Sequence, residues 1–336
     1  MGRPRPLVEP APLPEYTGAA TRENFLTALL DRCAHRKGRT SGPVARRARR
    51  PGSLDEVWAS LPFPLAAALT EHVEGVLPLV GTIAGRSPLL RAGRAGEALI
   101  VSGLFTPNSS LSPRVASFRG HVEGSEVVMS GAVSFAALTA DAALSAVSLE
   151  GRSHVFLLPL ADREAGIGRA ERIELRLPPD HLSAPLSWGP GGLAASAFEA
   201  HARAFAPGAC AAALRALGCL RRALTARNSA SGVLSTSQLL AHEVTRTEIT
   251  AGLAALAADT PTDPVAALAA CTGVLDSVAL LAQEFVGAGM VDESSLRTDP
   301  DWDPSWTTPS VRVHFGGRRM VEGELAHRMG LLPATG

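Results

Sequence analysis

The sequence predicts an α+β multi-domain protein with an N-terminal helical segment, a central small β-barrel or sandwich, and a C-terminal four-helix bundle. Three observations predict it. Between Ser53 and Ile83 apolar residues recur at helical spacing. From Ala98 to Leu177 the apolar runs shorten to strand length and are separated by Gly-containing turns. From Leu193 onward, long Ala- and Leu-rich stretches return to a period near 3.6. The divisions implied are 1–97 for a basic arm and an abbreviated helical domain, 98–187 for a β-module and 188–336 for the bundle.

Residues 1–20 are proline-rich and read as irregular chain, followed by a helix opening at Thr21 or Asn24, carrying Phe25, Leu26, Leu29 and Leu30, and ending near Gly38. A basic loop follows, in which Arg46, Arg47, Arg49 and Arg50 cluster among Pro, Gly and Ser. Residues 1–50 hold eleven basic and four acidic residues, a net +7, so the rest of a chain of zero formal charge carries −7. Such a run suits a phosphate-bearing ligand or an acidic carrier protein, and more readily a solvated arm. Without interleaved aromatics it does not read as a nucleic-acid surface.

Ser53 with Glu56 three residues on forms a capping box, and Val57, Leu61, Leu65 and Leu69 continue at helical spacing despite Pro62 and Pro64. The apolar stretch Val73 to Ile83 completes a short helical region. The strands predicted next are 98–105, 115–122, 126–135, 143–149, 154–160 and an alternating Ile173, Leu175, Leu177. Glu123-Gly124 and Glu150-Gly151-Arg152 mark hairpins.

A Gly-Pro-Gly-Gly turn, Gly189 to Gly192, opens the bundle. Cys210, Leu214, Leu217, Leu220 and Leu224 wind one apolar stripe down a long helix. A polar break from Asn228 to Gly232 follows Arg227, and Gln238 leads a second helix with Leu240, Val244, Ile249, Leu253 and Leu256 at its apolar positions. Pro261 to Pro264 breaks the chain before a third helix through Leu268, Leu275, Val278, Ala282 and Phe285, ended by Gly287-Ala288-Gly289. Residues 292–308 read as a long loop, and the last helix as Met320 to Leu331.

Composition narrows the class. With 46% hydrophobic and 19% charged residues the chain reads as globular, and no run of eighteen apolar residues predicts a membrane span. The N-terminus lacks the apolar core of a secretory signal, so a cytoplasmic protein is expected. Cys33, Cys210, Cys219 and Cys271 show no Cys-x-x-Cys spacing and the nine histidines form no His-x-x-x-His pair, so buried thiols and no metal site are expected.

The order helix, Arg, Gly-containing loop, Gln, helix at Arg227, Gly232 and Gln238 resembles the acyl-CoA dehydrogenases, in which the loop's Arg and Gln contact flavin adenine dinucleotide. Helical segment, β-module, bundle is also that family's domain order, and the resemblance runs from about Leu79 to Leu331. Gly131, Ser134, Phe135, Ala140 and Asp141 resemble a family segment in the β-module, with a spacing about two residues short. Gln283, Gly287 and Gly289 resemble the turn that reaches the cofactor of a neighbouring subunit, and Gly316-Gly317 with Glu322 and Arg328 resembles the C-terminal loop and helix. The loop after Arg227 is one residue longer than the family's, with Ser231 where a Phe precedes the Gly. The resemblance implies FAD held through Ser134, Arg227 and Gln238, with Gln283 and Gly287 contributed across a subunit interface.

The family's reaction removes an α-proton with a carboxylate and passes the β-hydride to flavin. Its usual base precedes Gly-Thr in the C-terminal loop, and Gly316, followed by Gly317 and Arg318, stands there in this chain. Thr106-Pro107 replaces the family's Thr-Glu. Some members place the base on a bundle helix, which makes Glu243 and Glu248 the candidates, with Arg318 a fixed cation able to stabilise an enolate or bind an anion.

Two readings follow. In the first, the chain is an acyl-CoA dehydrogenase-like flavoenzyme acting on an acyl thioester or related biosynthetic intermediate, with atypical catalytic residues. In the second, it works without flavin, as a partner subunit in a heteromer or as an enzyme repurposed for a non-redox cyclisation or elimination on a hydrophobic small molecule. Apolar residues on more than one face of the bundle helices predict a homo-dimer or tetramer.

Overall fold

A computed structural model describes residues 53–83, 88–104, 114–133, 140–160, 171–189, 191–231, 238–259, 263–308, 311 and 317–332. The helix predicted from Thr21 and the basic loop lie outside them. Helix α1 (Leu54–Ser60) starts where the capping box put it, the Ser53 hydroxyl accepting the Glu56 N–H at 3.2 Å. Helix α2 (Phe63–Thr70) has its prolines at the N-terminal end, where their missing N–H groups cost nothing. It runs directly into a π-helical turn (Glu71–Val76) and α3 (Leu77–Val80). Pro78 lacks an N–H and its ring presses on the carbonyl four residues back, which accounts for the widened turn. Helix α4 (Pro88–Arg94) closes the segment.

The β-module is one mixed six-stranded sheet: β1 (Ile100–Ser102), β2 (Phe118–Glu123), β3 (Glu126–Val133), β4 (Ala142–Leu149), β5 (Arg152–Pro159) and β6 (Glu171–Leu177). Both predicted hairpins are present. Gly124 turns at φ 62°, and Glu150 and Gly151 turn at φ 50° and 78°, the left-handed geometry of a two-residue hairpin. Strand β4 is the hub. It pairs along its whole length with β5, while its other edge is shared by β1 and β2, both parallel to it. Gly131 on β3 is required by close approach, because a Cβ there would lie 2.3 Å from the Ser117 carbonyl oxygen and 2.6 Å from the Phe118 ring. That ring packs edge-on against Phe156 at 5.1 Å.

The bundle comprises α5 (Leu193–Ser231), α6 (Gln238–Asp259), α7 (Pro264–Gly287) and, after the short α8 (Glu293–Thr298), α9 (Gly317–Arg328). Two expectations are corrected. The polar stretch Asn228–Ser231 continues α5 instead of breaking it. The segment read as a loop from 292 to 308 holds α8 and a 3₁₀ turn (Pro304–Thr307), with Trp302 and Trp306 buried.

The core face of α5 holds Cys210, Leu217 and Leu220 of the predicted stripe, with Leu214 at its edge. Alanines line it as well, Ala202, Ala206, Ala209, Ala213 and Ala216, and Ala251, Ala254 and Ala258 are buried on α6, because small side chains let the helices approach closely. Ile249, Leu253 and Leu256, read as the apolar face of α6, are 60–67% exposed. Helix α7 is apolar and long enough for a membrane span, but 61% of its most apolar stretch is buried among its neighbours, as in a central core helix.

Candidate functional site

Helices α5, α6 and α7 pack on one another and are joined by short links, so they alternate in direction. The C-terminal end of α5, the start of α6 and the end of α7 therefore share one end of the bundle. Arg227, Gln238, Gln283 and Gly287 belong to those three places, so residues up to 60 positions apart are brought to one end of the bundle. Gln283 is half-buried and Gly287 exposed. A cleft of about 880 Å³ opens between this part of α5 and the segment from Val291 to Asp301, with Arg222, Ala226 and Cys219 on one wall and Asp299 on the other. Arg222 donates to Asp299 at 2.9 and 3.0 Å and to Asp301 at 3.0 Å. Burial, aided by Asp299, pushes the Cys219 thiol up to about 11, which keeps it a neutral wall residue.

The remaining sequence candidates are distributed differently. Glu243 on α6 pairs with Arg246 at 2.8 Å and Glu248 with Arg221 on α5 at 3.3 Å. Arg318, in the first turn of α9, is exposed and pairs with Glu322 at 2.6 Å. Ser134, Phe135, Thr106, Pro107, Gly232 and Gly316 lie outside the described residues. Cys210, Cys219 and Cys271 are buried free thiols, as expected. Among the described residues no group of three or more His, Cys, Asp or Glu could hold a metal.

Two clusters escaped the sequence. The first is ionic. Glu324 on α9 is fully buried and accepts a two-point contact from Arg114, Nε to Oε2 and Nη2 to Oε1, each 2.9 Å. Arg328 adds a bond to Glu324 at 3.2 Å and reaches Glu199 on α5 at 2.8 Å. The Arg114 guanidinium also sits 5.7 Å over the Trp188 ring. Two cations and two anions thus fasten the chain leading into β2 to α5 and α9. The only sequence trace is the Glu324–Arg328 spacing of four beside the buried Met320 and Val321.

The second cluster sits at β1. The Ile100 N–H donates to His72 Nδ1 at 2.9 Å, the Leu99 N–H donates to Asp141 Oδ2 at 2.9 Å, and His72 Nε2 lies 3.3 Å from the Gly93 carbonyl. Burial pushes His72 down to about 4, against the pull of its backbone partners and Asp141. Glu71, beside it on the π-turn, is bonded to the Ser102 backbone, and burial pushes its carboxyl up to about 8. At neutral pH both side chains are uncharged, the state a dry interface demands.

No family model matches the sequence, and no curated protein matches it. Solved structures do match in fold. A glutaryl-CoA dehydrogenase from Mycobacterium smegmatis superposes with a TM-score of 0.57 at 15% identity, over 84% of this chain and 79% of that one. A probable acyl-CoA dehydrogenase from Mycobacterium abscessus gives 0.56 at 18% identity, over 94% and 95%. A glutaryl-CoA dehydrogenase from M. smegmatis in complex with FADH2 gives 0.53 at 15%, over 93% of each chain. The chain has the acyl-CoA dehydrogenase fold, helical segment, sheet and bundle together.

Proposed function

We propose that this protein binds an acyl thioester and a flavin on an acyl-CoA dehydrogenase scaffold and uses an atypical residue set for its chemistry. The observation that carries the proposal is the placement of Arg227 and Gln238 at one end of the bundle in a chain that matches such proteins in fold over nearly its full length. One of those neighbours is described in complex with FADH2.

The donor set suits a flavin dinucleotide. A guanidinium pairs with a pyrophosphate through charge-assisted bonds, and carboxamides offer both donor and acceptor to a ring edge. Arg227 and Gln238 would hold the group from one protomer, with Ser134 on the β-module side, and Gln283 and Gly287 would come from a second copy. Bound flavin supplies an acceptor for a hydride. The exposed Ile249, Leu253 and Leu256 give the bundle an apolar face that a homo-dimer or tetramer would cover. The basic arm with Arg46, Arg47, Arg49 and Arg50 is suited to the acidic surface of an acyl carrier protein delivering the thioester.

Proton removal is where the chain departs from a dehydrogenase. Gly316 cannot act as a base, and Glu243 and Glu248 are engaged by Arg246 and Arg221. A positioned general base contributes ~10²–10⁴ in rate. Straight-chain acyl-CoA should therefore turn over negligibly, and a biosynthetic thioester with a more acidic α-proton is the better substrate class. The same residues favour the second reading, a flavin-free protein performing a cyclisation or elimination.

The visible absorption spectrum of the freshly purified protein separates the two. Stoichiometric flavin absorption is expected, and Arg227→Ala should weaken flavin by roughly one to two orders of magnitude. A colourless protein that takes up no added FAD moves the assignment to the second reading. Robust turnover of octanoyl-CoA with an artificial electron acceptor would overturn the missing base, and its loss in Glu243→Gln or Glu248→Gln would locate one.

A further inference from the structure

A second cavity adjoins the cleft beside Arg222 at Pro300 and Asp301 and lies between α1, the middle of α5 and the segment Pro300–Trp306, with a volume of about 290 Å³. Its floor is aromatic. Phe63 stands 5.5 Å from Trp58 and 5.3 Å from Trp306, and Trp302 completes the wall. All four rings are buried, while Ser60, Asp301 and Pro304 at the rim are exposed. Its size sits at the lower end of small-molecule sites, ~300–1,000 Å³.

The polar groups around this floor are unbalanced. Trp58 is 3% and Trp302 8% exposed, and the indole Nε1 of each is buried with no hydrogen-bond partner. Native interiors rarely leave such donors dry, so each calls for an acceptor. Arg215, also on the wall, gives one Nη2 bond to the Trp58 carbonyl at 2.7 Å and has no carboxylate partner among the described residues. The nearby acids are already engaged. Asp303 accepts the backbone N–H groups of Phe63 and Ser305, and Asp301 accepts Arg222 at 3.0 Å. What remains is two buried indole N–H donors without an acceptor and one guanidinium without a carboxylate, beside aromatic rings set at 59–67° to one another.

We propose that this cavity binds a small aromatic carboxylate, its ring against the Trp58, Phe63 and Trp306 floor and its carboxylate taken by Arg215 and the two indole N–H groups. A flat ring contributes apolar contact at little entropic cost, and a carboxylate has the acceptor capacity for three donors. The site is separate from the thioester reading and does not rest on it.

Calorimetric titration of the full-length protein with 2-naphthoate, and with 2-naphthamide as the uncharged counterpart, tests this. Saturable one-to-one binding of the acid is expected, with the amide weaker by at least roughly tenfold, the worth of one charge-assisted bond. Trp302→Phe keeps the ring and removes one donor, and should weaken the acid by about the same factor. Arg215→Gln should weaken it further, and if that variant fails to fold, Trp302→Phe still decides. Three of the four tryptophans line the cavity, so intrinsic fluorescence must change on binding. No binding of 2-naphthoate at millimolar concentration, equal affinity for acid and amide, or an unchanged affinity in Trp302→Phe would each overturn the proposal.

Discussion

Replacing Glu324 by Leu should be among the most damaging single changes in the bundle. The carboxylate is fully buried and holds Arg114, 15% exposed, and Arg328, 23% exposed, so its loss removes the anion that both guanidiniums share. Removing one partner from a buried ion cluster costs about 3–5 kcal/mol, because the stranded charge keeps its desolvation penalty. An unfolding entropy of about 2.1 cal/mol/K per residue over 336 residues is about 0.7 kcal/mol/K, so cooperative unfolding converts that loss to a fall of roughly 4–7 °C in Tm. The double variant Arg114→Leu/Glu324→Leu removes the charge imbalance and should recover at least about 1 kcal/mol relative to Glu324→Leu alone. Urea unfolding followed by circular dichroism measures both variants and the single Arg114→Leu. A Glu324→Leu loss below about 1 kcal/mol, or a double variant worse than the sum of the singles, would refute the reasoning.

Glu71 and His72 give a pH dependence whose sign can be fixed. Glu71 is raised from 4.5 to about 8, so the folded state keeps a proton the unfolded chain has lost, and stability falls as pH climbs between those values. His72 is lowered from 6.5 to about 4, so stability falls as pH drops from 6.5. The two slopes cancel between about 4.5 and 6.5, and above 6.5 Glu71 acts alone at about 1.4 kcal/mol per pH unit, roughly 2 kcal/mol by pH 8. Glu71→Gln should abolish that decline in urea midpoints from pH 6.5 to 8, and a wild type equally stable at both ends would contradict the buried neutral acid. Gly131→Ala should lose on the order of 1–3 kcal/mol or more, because the new methyl meets backbone, whereas Gly273→Ala on α7, with nothing within 4 Å, should gain about 0.4–1 kcal/mol. Thermal melts of the pair would show a shared sign if close approach at Gly131 were not decisive.

Local chemistry wrote much of this fold into the sequence. Ser53 with Glu56, the hairpin glycines at 124 and 151, and Asp263 before Pro264 are signals read within four residues, and each marks an element boundary in the structure. What depended on partners far along the chain was not readable. The parallel registers of β1 and β2 on β4, the alanine seams of α5 and α6, and the burial of Trp302 and Trp306 are settled by neighbours the local pattern does not name. The stripe of α5 proved mostly buried, but Ile249, Leu253 and Leu256 of α6 were overvalued as core markers because periodicity finds an apolar face without saying whether a helix turns it inward. The candidate site shows the same division. Arg227, Gln238, Gln283 and Gly287 were named from a resemblance, and alternating helices bring their positions to one end, while Arg114 and Glu324, 210 residues apart, left almost no trace.

Among the described residues strand β1 spans three residues with β4 as its β partner, and its outward amides are held by side chains. The acceptor for Ile100 is His72, from the helical segment, so this edge is finished by residues that precede the sheet in the chain. During folding the parallel pairing of β1 with β4, some forty residues apart, must wait for a loop to close, and the exposed edge is a template for another chain until the π-turn arrives. A fragment beginning after the N-terminal helices would therefore carry an open edge permanently and should self-associate, whereas the helices protect the sheet in cis as a built-in chaperone segment.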